Sequence, residues 1–205
     1  MIIRCNHTIH HERHHYGWDN SIDPVISVQP GETVEIETID ASGGQLSEKS
    51  QDKDLLSLDF ERVNPVSGPI FVEGAEKGDI LSINFLEFSP NSQGWGWTAN
   101  IPGFGLLADQ FLEPRLHTWK YDSKNPIASL FGSYGKVPLK PFCGTVGLAI
   151  EEKGVHSVVP PRRVGGNLDI RDNCAGTTLY LPVEVKGALL SLGDTHAAQG
   201  DGEVC

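Results

Sequence analysis

Two short segments near the end of the chain hold side chains suited to hydrolytic chemistry. In Leu192-Gly193-Asp194-Thr195-His196 a carboxylate and an imidazole stand two residues apart, so a strand would project both from one face. That pairing suits zinc or a similar divalent ion. The segment continues Ala197-Ala198-Gln199-Gly200-Asp201-Gly202-Glu203. Asp201 and Glu203 add two carboxylates at the same alternating spacing, and either could act as general base on a metal-bound water. The intervening small residues allow close approach of a ligand to the backbone. The same residues also fit a Gly/Asp-rich turn with solvated carboxylates. In Gly166-Asn167-Leu168-Asp169-Ile170-Arg171-Asp172, strand alternation would gather Asn167, Asp169 and Arg171 on one face. The alternative there is a surface strand end whose charges are solvated.

Other candidates are more dispersed. Glu73 ends the apolar run Phe71-Val72, where an unpaired carboxylate is costly; it is a candidate for catalysis or ligation, or else an exposed strand-end acid. Asp40, before Ala41-Ser42-Gly43-Gly44, reads as a turn-former. His7, His10, His11, His14 and His15 crowd the first fifteen residues. They are potential metal ligands, but most are expected to be exposed and loosely ordered, as chain ends usually are. Trp18 needs a packing partner. Cys5, Cys143, Cys174 and Cys205 form no Cys-x-x-Cys pair, which argues against a thiolate zinc site and for free, mostly buried thiols in a reducing compartment. A cysteine nucleophile at Cys143 or Cys174 lacks any identifiable cation or helix N-terminus to activate it.

Strands must position these groups. Thr33–Thr38 alternates apolar and polar residues, the period of a half-buried strand. Pro69–Val72, Ile80–Leu86, Gly144–Ile150 and Thr177–Val183 read as further strands from their β-branched and aromatic content. Gly31, Gly78 and Gly187 mark tight corners between apolar runs. Ile101–Phe111 has room for one helical turn, Ser89–Asn100 reads as a long loop, and Ser42–Asp54 reads as a polar, mobile stretch. The expected fold is a single all-β domain over residues 1–205, a β-sandwich or barrel with long loops and little helix.

The bulk properties narrow the function classes. The 205 residues carry a formal net charge of −11, which repels phosphates and argues against nucleic acid as a partner. No apolar run reaches the ~18 residues of a membrane span. The first residues lack the apolar stretch of a secretory signal, so the expected location is cytoplasmic.

An ordered set of motifs is similar to the acetamidase/formamidase family. It comprises Tyr16-Gly17-Trp18-Asp19-Asn20, Val28–Val34, Asp40–Gly44, Asn64–Ala75 and Pro102–Leu107, then the two most specific stretches, Gly165–Asp172 and Gly193–Glu203. The resemblance implies hydrolysis of formamide, acetamide or a similar small amide to ammonia and a carboxylate. It implies a β-sandwich-type fold, a divalent metal such as zinc, and homo-oligomers. Carried over residue by residue, it implies metal ligation by Asp169, Asp194 and His196. Glu203 or Glu73 would then be the base that deprotonates water. Asn167 or Gln199 would hold the substrate amide or its oxyanion. Members of the family continue beyond the Glu203 motif, so a dimer partner or a second chain supplying the remaining part is expected to cover exposed edges and apolar faces. The alternative is a non-catalytic domain that binds a metal or small ligand.

Overall fold

The structure is a computed structural model and describes residues 3–91, 93–122, 124, 127–130, 134–200 and 203. Sixteen strands and two short 3-10 helices occur among them. The first half holds β1 (His7–Ile9), β2 (His14–His15), β3 (Gly17–Trp18), β4 (Ile26–Val28), β5 (Val34–Ile36), β6 (Val66–Val72), β7 (Ile80–Asn84) and β8 (Gln93–Asn100). The second half holds β9 (Arg115–Asp122), β10 (Ile127–Leu130), β11 (Gly135–Pro138), β12 (Phe142–Gly147), β13 (His156–Ser157), β14 (Gly165–Asn167), β15 (Thr178–Pro182) and β16 (Leu190–His196). The fold is all-β, as the turn-punctuated apolar runs predict.

A six-stranded sheet forms the centre, in the order β14-β12-β16-β6-β2, with β4 also paired to β6. β12 is buried at every position and β6 at all but one. Strands buried on both faces read as continuous apolar runs rather than alternating ones, as Val66–Val72 and Phe142–Gly147 do. The two-stranded ribbons β1–β5 and β7–β15 pack against this sheet. Leu81 and Ile83 of β7 and Leu179 and Leu181 of β15 meet Leu190 and Leu192 of β16 and Val146 of β12. On the other side of the sheet's middle, Ile9, Val34 and Ile36 pack on Val28, Ile70 and Val72. Each fully buried Val, Ile or Leu stabilises the fold by roughly 1.5–3 kcal/mol, so these clusters hold the central strands in fixed register.

Several expectations change. Ser89–Asn100 is not a long loop, because β8 pairs residue for residue with β9 from Gln93↔Asp122 to Asn100↔Arg115. Glycine hides the strand signal here, and Tyr121 covers Gly94 so closely that an added Cβ would collide with its ring. Ser42–Asp54 is not a loose stretch. Gln45 Nε2 donates to the carbonyls of Ser42, Asp59 and Arg62, and Leu46 and Leu55 bury against Ala99 and Ile101. Ile101–Phe111 forms a succession of turns, the last closed by the Phe111 N–H on the Leu107 carbonyl at 3.1 Å, which is a single helical turn and not a longer helix. The N-terminal histidines are not loosely ordered, since His7, His14 and His15 lie in strands. Asp40 is the turn-former expected: its carboxylate accepts from the backbone of Ser42 and Gly44 and from Trp97 Nε1. Trp18 finds its partners in Val66 and Val158.

Candidate functional site

Three adjacent strands bring the two specific sequence segments together. β12 lies between β14 and β16, with Thr145 opposite Asn167 on one side and opposite Gly193 on the other. Residues that follow Asn167 and Gly193 therefore emerge at the same end of the sheet. His196 stacks on the ring of Phe142, its partner across the ladder, with centroids 4.6 Å apart and planes inclined by 16°. Phe142 is fully buried, so it fixes the plane of the imidazole.

Carboxylates surround that ring. His196 Nε2 lies 3.6 Å from Asp169 Oδ1, 3.5 Å from Asp194 Oδ1 and 3.9 Å from Glu203 Oε2. One ligand atom each from Asp169, His196 and Glu203 can be chosen so that all lie within 4.8 Å of one another. These separations exceed a normal N–H···O hydrogen bond. They approach the ~3.3–3.4 Å between donors of a tetrahedral zinc site with bonds of about 2.0–2.1 Å. Asp169 Oδ1, His196 Nε2 and Gln199 Oε1 are buried atoms without a hydrogen-bond partner among the described residues, an arrangement that natural folds rarely leave unsatisfied.

The charge balance favours a cation. Burial works against a charge on His196, yet Asp169, Asp194 and Glu203 outweigh it and raise the imidazole to about 10. Burial raises the Glu203 carboxyl to about 7, opposed by His196 and reinforced by Asp169 and Asp194. Three carboxylates face at most one imidazolium, and a divalent cation would neutralise the excess. The donor set, the orphaned atoms and the spacing all fit such an ion.

Space for it comes from a glycine. A Cβ on Gly144 would stand 2.7 Å from His196 Nε2, 2.8 Å from Asp169 Oδ1 and 2.8 Å from the backbone oxygen of Asp194. The Gly144 carbonyl also accepts from the backbone N–H groups of Leu168 and Asp169, which turns the chain after β14 back over β12. The two aspartates are held in left-handed backbone conformations, with φ of 49° at Asp169 and 47° at Asp194. Such conformations are uncommon outside glycine and cluster at functional sites.

The sequence-derived candidates separate into groups. Asp169, Asp194, His196, Gln199 and Glu203 do converge. Asp169 gets there by a turn, however, not by the alternation predicted for Asn167, Asp169 and Arg171, because β14 ends at Asn167. Arg171 instead donates toward the Gly200 carbonyl at 3.5 Å. Asn167 is near the cluster but its amide is committed: Oδ1 accepts from the Thr145 hydroxyl at 2.6 Å and Nδ2 donates to Asp169 Oδ2 at 2.8 Å. Gln199 Nε2 donates to the Asp169 carbonyl and toward Glu203 Oε2, which leaves its oxygen as the free group. Glu73 is not brought to the cluster. β6 and β16 run antiparallel with Val66 opposite Gly193 and Ile70 opposite Leu190, so Glu73 lies beyond the far end of β6, on the order of 30 Å away along the strands. There it accepts a hydrogen bond from Ser27. Asp201 and Cys205 lie outside the described residues.

Two residues of this site carry no sequence signal of their own. Thr145 is fully buried, and its hydroxyl lies 3.4 Å from Asp194 Oδ2 while it bonds Asn167; Gly144 is its neighbour. Both act across the ladder, and only the register of β12 against β14 and β16 reveals them. Cys143 is inert by contrast. Burial, with Asp194 adding, pushes its thiol up, and the thiol donates to the carbonyls of Thr145 and Gly193.

Comparison with known proteins adds an independent observation. The model of the Acetamidase/Formamidase family matches residues 4–153 and 141–205. An acetamidase of Mycolicibacterium smegmatis is 30% identical over 93% of this chain and 61% of its own length. The crystal structure of an acetamidase from Bacillus halodurans superimposes with a TM-score of 0.85 at 38% identity, over 96% of this chain and 64% of that one. A gamma lactamase from Delftia acidovorans does so with a TM-score of 0.86 at 25% identity, over 94% of this chain and 59% of that one. The chain thus spans about three fifths of the length of these relatives.

Proposed function

We propose, for a chain that belongs to the acetamidase/formamidase family, that the Asp169–His196–Glu203 cluster is the centre of a metal-assisted amidase acting on small amides. The observation that carries this is the convergence of the orphaned Asp169 Oδ1 and His196 Nε2 above a glycine that leaves them room. Asp169 and His196 would hold a divalent ion, zinc by donor type, with Asp194 completing the set. Such an ion supplies Lewis-acid chemistry, offsetting the negative charge that develops on the amide oxygen.

The chain's own residues would do the rest. Glu203 has the most exposed side chain of the four, 32% against 11–22% for the others. It is therefore the group that can meet a water molecule, take its proton and return it to the departing ammonia. The free Gln199 oxygen would accept an N–H of the substrate amide and turn its carbonyl toward His196 and Asp169. Asn167 and Thr145 hold the two aspartates in place, a positioning role in place of the substrate contact suggested by resemblance. Linear formamide and acetamide suit the family name, and small lactams extend the set to test. The free cysteines among the described residues suit a reducing, cytoplasmic setting. Among the described residues no helix is long and apolar enough to cross a membrane.

A cleft of about 2050 Å³ opens beside the site, and Leu81, Ile83, Val34, Ile70, Leu190 and His196 are among its walls. Apolar strand faces of this kind need cover. In a chain that spans three fifths of its relatives, the cover would be polypeptide equivalent to their remaining part or another copy of this chain. That fraction also keeps a second reading open, a domain that binds metal without turnover. The decisive experiment measures metal content and ammonia release from formamide, acetamide and a small lactam, before and after chelation. Activity that disappears with the metal and returns with Zn2+ is expected. Full activity in metal-free protein would overturn the mechanism, and stoichiometric metal without ammonia would favour the binding domain.

A further inference from the structure

We infer that His11, Glu12 and Glu37, with His10 beside Glu37, form a second divalent-metal site, on the surface and separate from the Asp169–His196 cluster. The backbone assembles it. β1 and β5 pair in parallel, His7 with Val34 and Ile9 with Ile36, and the Glu37 N–H donates to the Ile9 carbonyl at 2.9 Å. The chain then turns sharply after β1, with the Arg13 N–H bonding the His10 carbonyl at 2.9 Å. The carboxylate of Glu37 is thereby held against the turn that carries His10, His11 and Glu12.

The donor geometry is that of a cation site. His10 Nδ1 and His11 Nδ1 each lie 3.3 Å from the same oxygen, Glu37 Oε2, and the His11 backbone N–H points to it as well at 3.3 Å. His11 Nε2 is 3.7 Å from Glu12 Oε1. One ligand atom each from His11, Glu12 and Glu37 can be chosen with all of them within 4.8 Å. His11 hydrogen-bonds Glu37 Oε2 through both its backbone N–H and its ring Nδ1, and an ion would replace the ring contact at a distance of 3.3 Å, the outer end of the N–H···O range. That distance matches the ~3.3–3.4 Å edge of a tetrahedron with metal–ligand bonds of about 2.0–2.1 Å. An imidazole with two carboxylates, and a second imidazole beside Glu37, favours a borderline ion such as Zn2+ over Ca2+ or Mg2+, which prefer all-oxygen shells. Among the described residues no Lys or Arg forms an ion pair with Glu12 or Glu37; their partners are these imidazoles.

The placement gives such an ion a role. Thr38 Oγ1 lies 2.9 Å from Thr195 Oγ1, which joins the residue after Glu37 to the residue before His196. Chain geometry then keeps the backbones of Glu37 and His196 within roughly 15 Å of each other. His11, Glu37 and His196 all line the same cleft. An ion at the second site would clamp the turn after β1 to the end of β5 and so stiffen the cleft's rim.

Metal-stripped full chain is titrated with Zn2+ in competition with a chromophoric chelator, with the histidine side-chain resonances followed by NMR. The wild type should take up two equivalents, one of them shifting the His10 and His11 resonances. The H10A/H11A variant should lose one equivalent and keep the other, and H196A the reverse. E37Q, checked for an unchanged circular dichroism spectrum, repeats the test without altering the turn. A wild type whose only equivalent is removed by H196A would overturn the second site, as would an H10A/H11A variant that binds as the wild type does. A single equivalent lost in H10A/H11A but kept in H196A would support the second site and sink the Asp169–His196 reading instead.

Discussion

The molecule carries two groupings of histidine and carboxylate with similar donor spacing but opposite surroundings. Around His196 the side chains are largely buried, 11–32% exposed, and each is braced by another: Phe142 beneath the ring, Asn167 on Asp169, Thr145 beside Asp194. Around His11 the side chains are 46–70% exposed, and the bracing is applied at the backbone, where His14 Nδ1 bonds the His11 carbonyl and the Ser67 hydroxyl bonds the Glu37 carbonyl. The donors are alike, so the difference lies in preorganisation. A site that must hold a reacting atom needs supporting contacts that lock its ligands, whereas a site that only clips two strands does not.

That contrast can be broken most severely at Gly144. G144A would place a methyl group against His196 Nε2, Asp169 Oδ1 and the Asp194 backbone, and the backbone cannot give way. Ammonia release is expected to fall by roughly three orders of magnitude, the several kcal/mol that a misplaced Lewis acid forfeits, with a stability loss of about 1–3 kcal/mol. Single-turnover assays and denaturant melts would measure both. Near-normal activity in G144A would mean that the cluster is not the reaction centre. The bracing is tested next by N167A, which leaves all ligands present. Metal affinity or kcat should drop about 10–100-fold. A drop confined to KM would instead assign Asn167 to direct substrate contact.

The smallest effect concerns the histidines of β2. His15 donates from Nδ1 to the Gly17 carbonyl and accepts at Nε2 from Ser191. Burial lowers its pKa below 6.5, against the pull of the Gly17 carbonyl. The unfolded chain therefore binds the proton first as pH falls. The stability conferred by the neutral ring is complete above about pH 6.5 and declines below it, with a slope of at most ~1.4 kcal/mol per pH unit. Urea melts between pH 7 and 5 should show that slope and should lose part of it in H15Q. An equal slope in both would place the proton uptake elsewhere.

Much of this architecture is legible in the residues. Thr33–Thr38, Ile80–Leu86 and Thr177–Val183 show their strands through local pattern, and the two acidic segments announce the site. What escapes is either cross-strand or disguised. Thr145 and Gly144 matter only because β12 is sandwiched between β14 and β16, a pairing between segments about 20 and 50 residues away in sequence. Gln93–Asn100 is disguised because its tryptophans alternate with glycines, which mimic a loop in composition while keeping the period of a strand. Glu73 misleads for the converse reason: its local setting resembles that of a catalytic acid, but the antiparallel register of β6 and β16 sends it to the opposite end of the sheet.

The left-handed backbone at Asp169 and Asp194 restricts which replacements can interrogate those positions cleanly. Asparagine shares both the outline of aspartate and its tolerance for positive φ, so D169N and D194N remove a charge while the chain keeps its path. A β-branched residue would add backbone strain while it removes the charge. Aspartate, asparagine and glycine are thus the residues that occupy these two acidic positions with the least backbone strain.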